Sequence, residues 1–119
     1  MKAIKRLFWI VFNAIQLAFT LSWSVVLISI GVLLALIGLK PVTHWLARFV
    51  WAPGLVYGAG GRIRVHGQLP NNGPFFLVMN HQSVIDIPVA MMVFKVPVHF
   101  IVKKELAKVP FLGWYIWAM

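Results

Sequence analysis

Residues Phe75 to Pro88 read F-F-L-V-M-N-H-Q-S-V-I-D-I-P. Five consecutive apolar residues, Phe75 to Met79, follow Gly73-Pro74 and predict a buried strand. Asn80 to Asp86 is polar at five of seven positions and predicts a turn. Pro88 breaks a helix interior but is tolerated in a first turn. A helix is therefore expected from about Ile87 to Lys95, with Asp86 placed to act as its N-cap.

The flanking sequence extends this pattern. Arg62 to His66, R-I-R-V-H, alternates. Ile63 and Val65 point one way and Arg62, Arg64 and His66 the other, as in a half-buried strand. Gly67 to Pro74 is a turn cluster. Val98 to Val102 reads as a third strand, Lys103 to Lys108 as a polar connection, and Pro110 opens a last aromatic helix, Phe111 to Met119. Strand, loop, helix, strand begins an α/β sheet.

Upstream the composition changes. Of 119 residues 61% are hydrophobic and 11% charged, where soluble domains average about 45–50% and 25%. The excess is concentrated between Leu7 and Leu39, 33 residues without a charged side chain. About 20 suffice to cross a bilayer. A cleaved signal peptide fits poorly, since the run is long and no small-residue site closes it. A single tilted span is the simpler arrangement. A helical hairpin would need a turn near Thr20 to Ser24, where no Gly or Pro stands. Trp9, Trp23, Trp45 and Trp51 lie near the expected membrane interfaces. Thr43 to Trp51 reads as a short amphipathic helix at the surface, with His44 and Arg48 one turn apart. The chain thus divides into a membrane-anchoring helical segment (1–40), an interfacial connector (41–60) and the first part of an α/β domain (61–119).

Eleven Lys and Arg against two acidic residues give a net charge of +9. That excess suits an anionic membrane surface or a phosphorylated ligand. The basic residues are scattered through apolar sequence and form no stripe, so a nucleic-acid partner is not expected. There is no Cys, which excludes disulfides and thiolate metal sites. No pair of histidines has metal-ligand context, so no metal site is expected. Gly58, Gly60 and Gly61 are followed by no helix pattern with an acidic partner and are not a dinucleotide fingerprint.

The chemistry is concentrated in the loop after Met79. Asp86 stands five residues after His81. A carboxylate that accepts an imidazole N–H fixes its tautomer and makes the other nitrogen a better general base. On a regular helix such positions differ by about 140° and do not meet, so the pair needs the segment to turn. The same residues also read as an N-capping Asp and a loop His that do not touch. Spacing leaves both readings open.

The wider context is more specific. The strand F-F-L-V-M leads into Asn80-His81-Gln82-Ser83, then Asp86; H-F-I-V-K-K-E-L and P-F-L-G-W follow. From about Gly61 to Trp114 this resembles the glycerolipid acyltransferases, most closely the 1-acyl-glycerol-3-phosphate acyltransferases of bacterial type. The resemblance implies a membrane-bound enzyme, at the cytoplasmic face of the bacterial inner membrane. It would move a fatty acyl group from acyl-CoA or acyl carrier protein to the free hydroxyl of lysophosphatidic acid. No cofactor is implied. His81 would be the general base, Asp86 would orient and charge it, and Asn80 and Ser83 would support the loop. Lys103 and Lys104, in the second family block, would lie near the acceptor's phosphate, although both also read as a solvated pair beside Glu105. The family's F-P-E-G-T-R-type block, whose Glu and Arg help bind the phosphate acceptor, is not found, nor is the fourth block. Both are expected beyond Met119, the sequence reading as the N-terminal part of a longer α/β protein. A non-catalytic membrane-anchored fragment or lipid-binding subunit, and an enzyme acting on another lysolipid such as a lyso-ornithine lipid, remain as alternatives.

Overall fold

A long helix, α1 (Lys2–Leu36), leads the chain. It runs unbroken through Thr20 to Ser24 and extends about 52 Å at 1.5 Å per residue. The structure, a computed structural model, describes residues 2–69, 72–94 and 99–118. By length and composition α1 is the one helix among the described residues that could cross a membrane. It ends in a Schellman motif, with Gly38 at φ +85°. The Leu39 N–H donates to the Leu34 carbonyl at 2.8 Å and the Gly38 N–H to that of Ala35 at 3.1 Å. Glycine reaches this conformation without the steric cost a side chain would add.

The chain then doubles back. Residues 41–60, expected as an interfacial connector, form helix α2 (Lys40–Leu46), a π-helical step (Ala47–Trp51) and helix α3 (Ala52–Gly58). Pro41 and Pro53 each stand in the first turn of their helix, where a missing N–H costs nothing. The wide π turn directly before Pro53 takes up the break that a proline makes in a regular ladder. The return arm lies antiparallel on the second half of α1. The Thr43 hydroxyl, fully buried, donates to the Gly31 carbonyl at 3.1 Å. The Trp23 indole N–H donates to the Trp51 carbonyl at 3.2 Å, and the Trp51 indole N–H to the Ser24 hydroxyl at 3.2 Å. The hairpin therefore turns at Gly38, not near Thr20, and its arms are held by small residues and indole hydrogen bonds that an apolar composition conceals.

The remaining helices pack around this hairpin. Helix α4 (Asp86–Val93) rests on α3 and the π step, and helix α5 (Leu112–Ala118) on α1. A 3-10 turn (Lys104–Lys108) precedes α5. Gly113 sits so close to the Ala107 carbonyl that a Cβ could not be accommodated. The buried residues are mostly small: Ala35, Ala47, Ala52, Val56, Ala90 and Ala118.

No β-strand is present among the described residues. The three segments expected as strands are non-helical but unladdered, and Val98 of the third lies outside the described residues, as does Lys95 at the expected end of α4. Phe76 and Val78 are 92% and 94% exposed, whereas Phe75, Leu77 and Met79 are 40%, 38% and 40% exposed. That period of two is the signature of extended backbone with one face half covered. The expected sheet is thus absent from the described residues. The strand-like periodicity remains in 75–79, but hydrogen-bonded neighbours do not.

Candidate active site

The apolar segment 75–79 delivers the chain into a tight loop that ends where α4 begins. The Ser83 carbonyl accepts the Asp86 N–H at 3.1 Å, and the Ser83 hydroxyl accepts the Ile85 N–H at 3.3 Å. Ser83 thereby folds the segment back on itself by local side-chain and backbone hydrogen bonds. Asp86 becomes the first residue of α4, after an N-cap at Ile85. Asp86 is therefore not the N-cap of α4: its carboxylate reaches backward, away from the helix, into the preceding loop.

Three N–H groups converge on a single oxygen. Asp86 Oδ2 accepts the backbone N–H of Gln82 at 2.7 Å and of Ser83 at 2.7 Å, and stands 3.0 Å from His81 Nδ1. His81 and Asp86 meet because His81 precedes the helix and the loop turns between them. The alternative reading of a loop His and a capping Asp without contact is excluded. The Ser83 and Gln82 amides, and then the imidazole, hold the Asp86 carboxyl below its ordinary pKa. An ionised carboxylate only accepts, so Nδ1 is the donor, and in the neutral imidazole that tautomer leaves the lone pair on Nε2. The His81 side chain is 56% exposed and that of Asp86 25%. The free nitrogen is open to an incoming molecule while the orienting carboxylate is better shielded.

The other expected site residues are less engaged. Asn80 is exposed and makes no side-chain hydrogen bond among the described residues. Lys103 is the N-cap residue of the 3-10 turn and Lys104 its first member; both are exposed. No hydrogen bond or ion pair joins either lysine to the His81–Asp86 pair, and Glu105 forms no ion pair with a lysine among the described residues. The Gln82 amide is a functional group that the sequence does not reveal. Backbone donors carry no residue signature, and only the loop's conformation aims this one at Asp86.

A separate cavity of about 230 Å³ lies between α1, α2, α4 and α5. Its walls are apolar apart from Thr43, His44, Trp51, His99 and Tyr115, and His81 is not among them. Burial, then the nearby His99 and Lys40, pushes the His44 imidazole below its ordinary pKa. Burial raises that of the Tyr115 phenol, whose oxygen has no hydrogen-bond partner among the described residues.

The His81–Asp86 pair thus sits on a turn between an extended apolar segment and a helix. Residues 62–119 match the acyltransferase family model. The match covers just under half of the chain, includes the whole His81–Asp86 loop and both lysines, and begins directly after the α1–α3 hairpin. It supports acyl transfer as the general activity. Neither the curated proteins nor the solved structures return a match.

Proposed function

We propose that this protein is a membrane-bound acyltransferase that moves a fatty acyl group from acyl-CoA or acyl carrier protein to the free hydroxyl of 1-acyl-glycerol-3-phosphate, giving phosphatidic acid. The observation that carries the proposal is the 3.0 Å contact between His81 Nδ1 and an Asp86 carboxylate pinned by two backbone amides, inside the segment that matches the family.

The chemistry follows from that arrangement. Nε2 of His81 removes the proton from the acceptor hydroxyl as its oxygen attacks the thioester carbonyl carbon. The positive charge that develops on the imidazole is compensated by Asp86. The tetrahedral adduct collapses by breaking the carbon–sulfur bond, and the departing thiolate takes the proton from Nε2. An ester and a free thiol result, and His81 returns to its starting form. This sequence needs no cofactor and no metal. Lys103 and Lys104, exposed beside α5, are the groups suited to hold the acceptor's phosphate. The apolar, largely uncovered α1 supports a place at the membrane, proposed here as the bacterial inner membrane with the His81 loop at its cytoplasmic face.

Growth rescue tests the proposal. The complete reading frame is expressed in a strain whose own 1-acyl-glycerol-3-phosphate acyltransferase is temperature-sensitive, and lipid extracts are examined at the restrictive temperature. Rescue with restored phosphatidic acid is expected. Failure to rescue, combined with acylation of another lysolipid such as a lyso-ornithine lipid, would move the acceptor. Failure with no acylated product would indicate a non-catalytic lipid-binding chain.

A further inference from the structure

The cavity between α1, α2, α4 and α5 is lined by none of His81, Asp86, Lys103 and Lys104, so it is separate from the groups assigned to acyl transfer. Helices α1 and α4 give it an aliphatic floor, with Ile28 and Met91 among the lining side chains. Gly31 adds room, since a Cβ there would stand 3.3 Å from the Thr43 methyl and 3.4 Å from the Tyr115 ring. Trp51, Phe100 and Tyr115 supply ring walls. His44 enters from α2 and His99 from the segment before the 3-10 turn. His99 is exposed although it lines the cavity, which puts it at the open side.

The charge around this space has one sign. His44 feels both His99 and Lys40. Neither of the chain's two acidic side chains lines the cavity. Asp86 is taken up by three N–H groups of its own loop, and Glu105 stands on the 3-10 turn. Apolar walls with basic groups at one side and no acid suit an amphipathic anion. A neutral imidazole donates one N–H and an imidazolium two, so both histidines can hold a carboxylate. The volume of about 230 Å³ sets the size. Scaled from the roughly 150 Å³ that accommodates benzene, it takes about nine heavy atoms. A single ring bearing one carboxylate is that large, and a long acyl chain is not. The ring walls favour a flat aromatic body, which packs against them offset or edge to face.

We infer that this cavity is a binding site for a small aromatic carboxylate, its ring among Trp51, Phe100 and Tyr115 and its carboxylate at the open side between His44 and His99. Binding is linked to a proton. Burial, then His99 and Lys40, holds the free His44 imidazole below its ordinary pKa, so it is neutral at pH 7. A carboxylate beside it favours the charged form and raises that value. The bound complex therefore takes up a proton at His44, and affinity rises as pH falls from 8 to 6, by at most about tenfold per unit for that proton. The titratable groups around His44 are His99, Lys40 one turn earlier on α2, and Tyr115 from α5, whose phenol burial keeps protonated. Helices α1 and α4 and the π step line the cavity with uncharged side chains.

Calorimetric titration of the full chain in maltoside micelles tests the inference, with micelles alone as the blank. Benzoate is the probe, benzyl alcohol the uncharged ring and octanoate the charged chain. Benzoate is expected to bind at one site, more tightly at pH 6 than at pH 8, whereas benzyl alcohol should bind at least about tenfold more weakly at pH 6 and show no pH dependence. His44→Gln should remove the pH dependence, and His99→Gln, at the open side, should weaken benzoate about tenfold while leaving benzyl alcohol unchanged. Ile28→Phe, which fills the floor, should abolish benzoate binding. Absence of benzoate binding at pH 6, or benzoate binding that survives Ile28→Phe or both histidine variants, would overturn the site. Equal affinity for benzyl alcohol would overturn the role of the carboxylate, and equal or tighter binding of octanoate would overturn the aromatic assignment in favour of an alkyl chain.

Discussion

Replacing Asp86 separates two contributions that are usually lost together. Its Oδ2 accepts all three N–H groups, from Gln82, Ser83 and His81. Asp86→Asn can place its carbonyl oxygen where Oδ2 stands, so the loop and the imidazole keep their acceptor and only the negative charge is removed. Asp86→Ala removes acceptor and charge together and frees the loop. Removing a positioned general base costs about 10²–10⁴ in turnover, which is the loss expected for His81→Ala. Asp86→Ala should approach that loss, because an imidazole without its partner samples both tautomers and many orientations. Asp86→Asn should be milder than His81→Ala by about tenfold or more, since the base and its hydrogen bond survive and only the charge compensation is lost. The assay is initial-rate transfer from acyl-CoA to lysophosphatidic acid in membranes lacking the host enzyme, with expression levels matched. The losses should appear in kcat, with KM for the acceptor little changed. Equal, complete inactivation by both Asp86 variants, with the loop still folded, would refute the reasoning that the shared oxygen matters more than its charge. Near wild-type turnover in His81→Ala would refute the assignment of the base.

Membrane attachment should withstand 1 M-range salt, at which surface charges are screened to about 3 Å, because hydrophobic burial of α1 holds the chain; release of most of the protein by salt alone would contradict this. Gly113→Ala should destabilise by about 1–3 kcal/mol through collision with the Ala107 carbonyl, whereas helix propensity alone predicts a gain, so the sign of the shift in thermal unfolding decides. Thr43→Val, which removes the buried hydroxyl bonded to Gly31, should cost about 1–2 kcal/mol, read as a lower midpoint in detergent. The Asp86 carboxyl titrates below its ordinary value, so its contribution to loop stability is present above the unfolded pKa of about 3.9 and is lost as pH falls through the lower folded value. The Gln82 and Ser83 amide resonances should therefore hold from pH 7 to pH 5, and their loss by pH 5 would contradict the pinning of Asp86.

Much of this organisation is legible in the residues themselves. The uncharged run from Leu7 to Leu39 marks α1, and Pro88 correctly places the start of a short helix after the polar loop. The His81–Asp86 spacing marks the pair, but only the Ser83 turn decides that they touch. The fold-back at Gly38 is harder to read, since outward-facing and helix-facing residues of α1 are both largely apolar. The contacts that reveal it, Trp51 against Trp23 and Ser24, join residues 27 and 28 positions apart. The amides of Gln82 and Ser83 are invisible to any reading of side-chain types. The strands are the part where sequence and structure diverge. Alternation in 75–79 survives as alternating exposure, yet a strand requires neighbours to bond, and none lies beside it among the described residues.

The most direct test of the central claim is product analysis with the purified protein in mixed micelles. Lysophosphatidic acid is supplied with acyl-CoA, and in a parallel reaction with acyl carrier protein, and phosphatidic acid and free thiol are measured together. The account predicts that one or both donors give phosphatidic acid and thiol in equal amounts, and that His81→Ala abolishes both. Thiol release without phosphatidic acid, or unchanged product formation by His81→Ala, would contradict it.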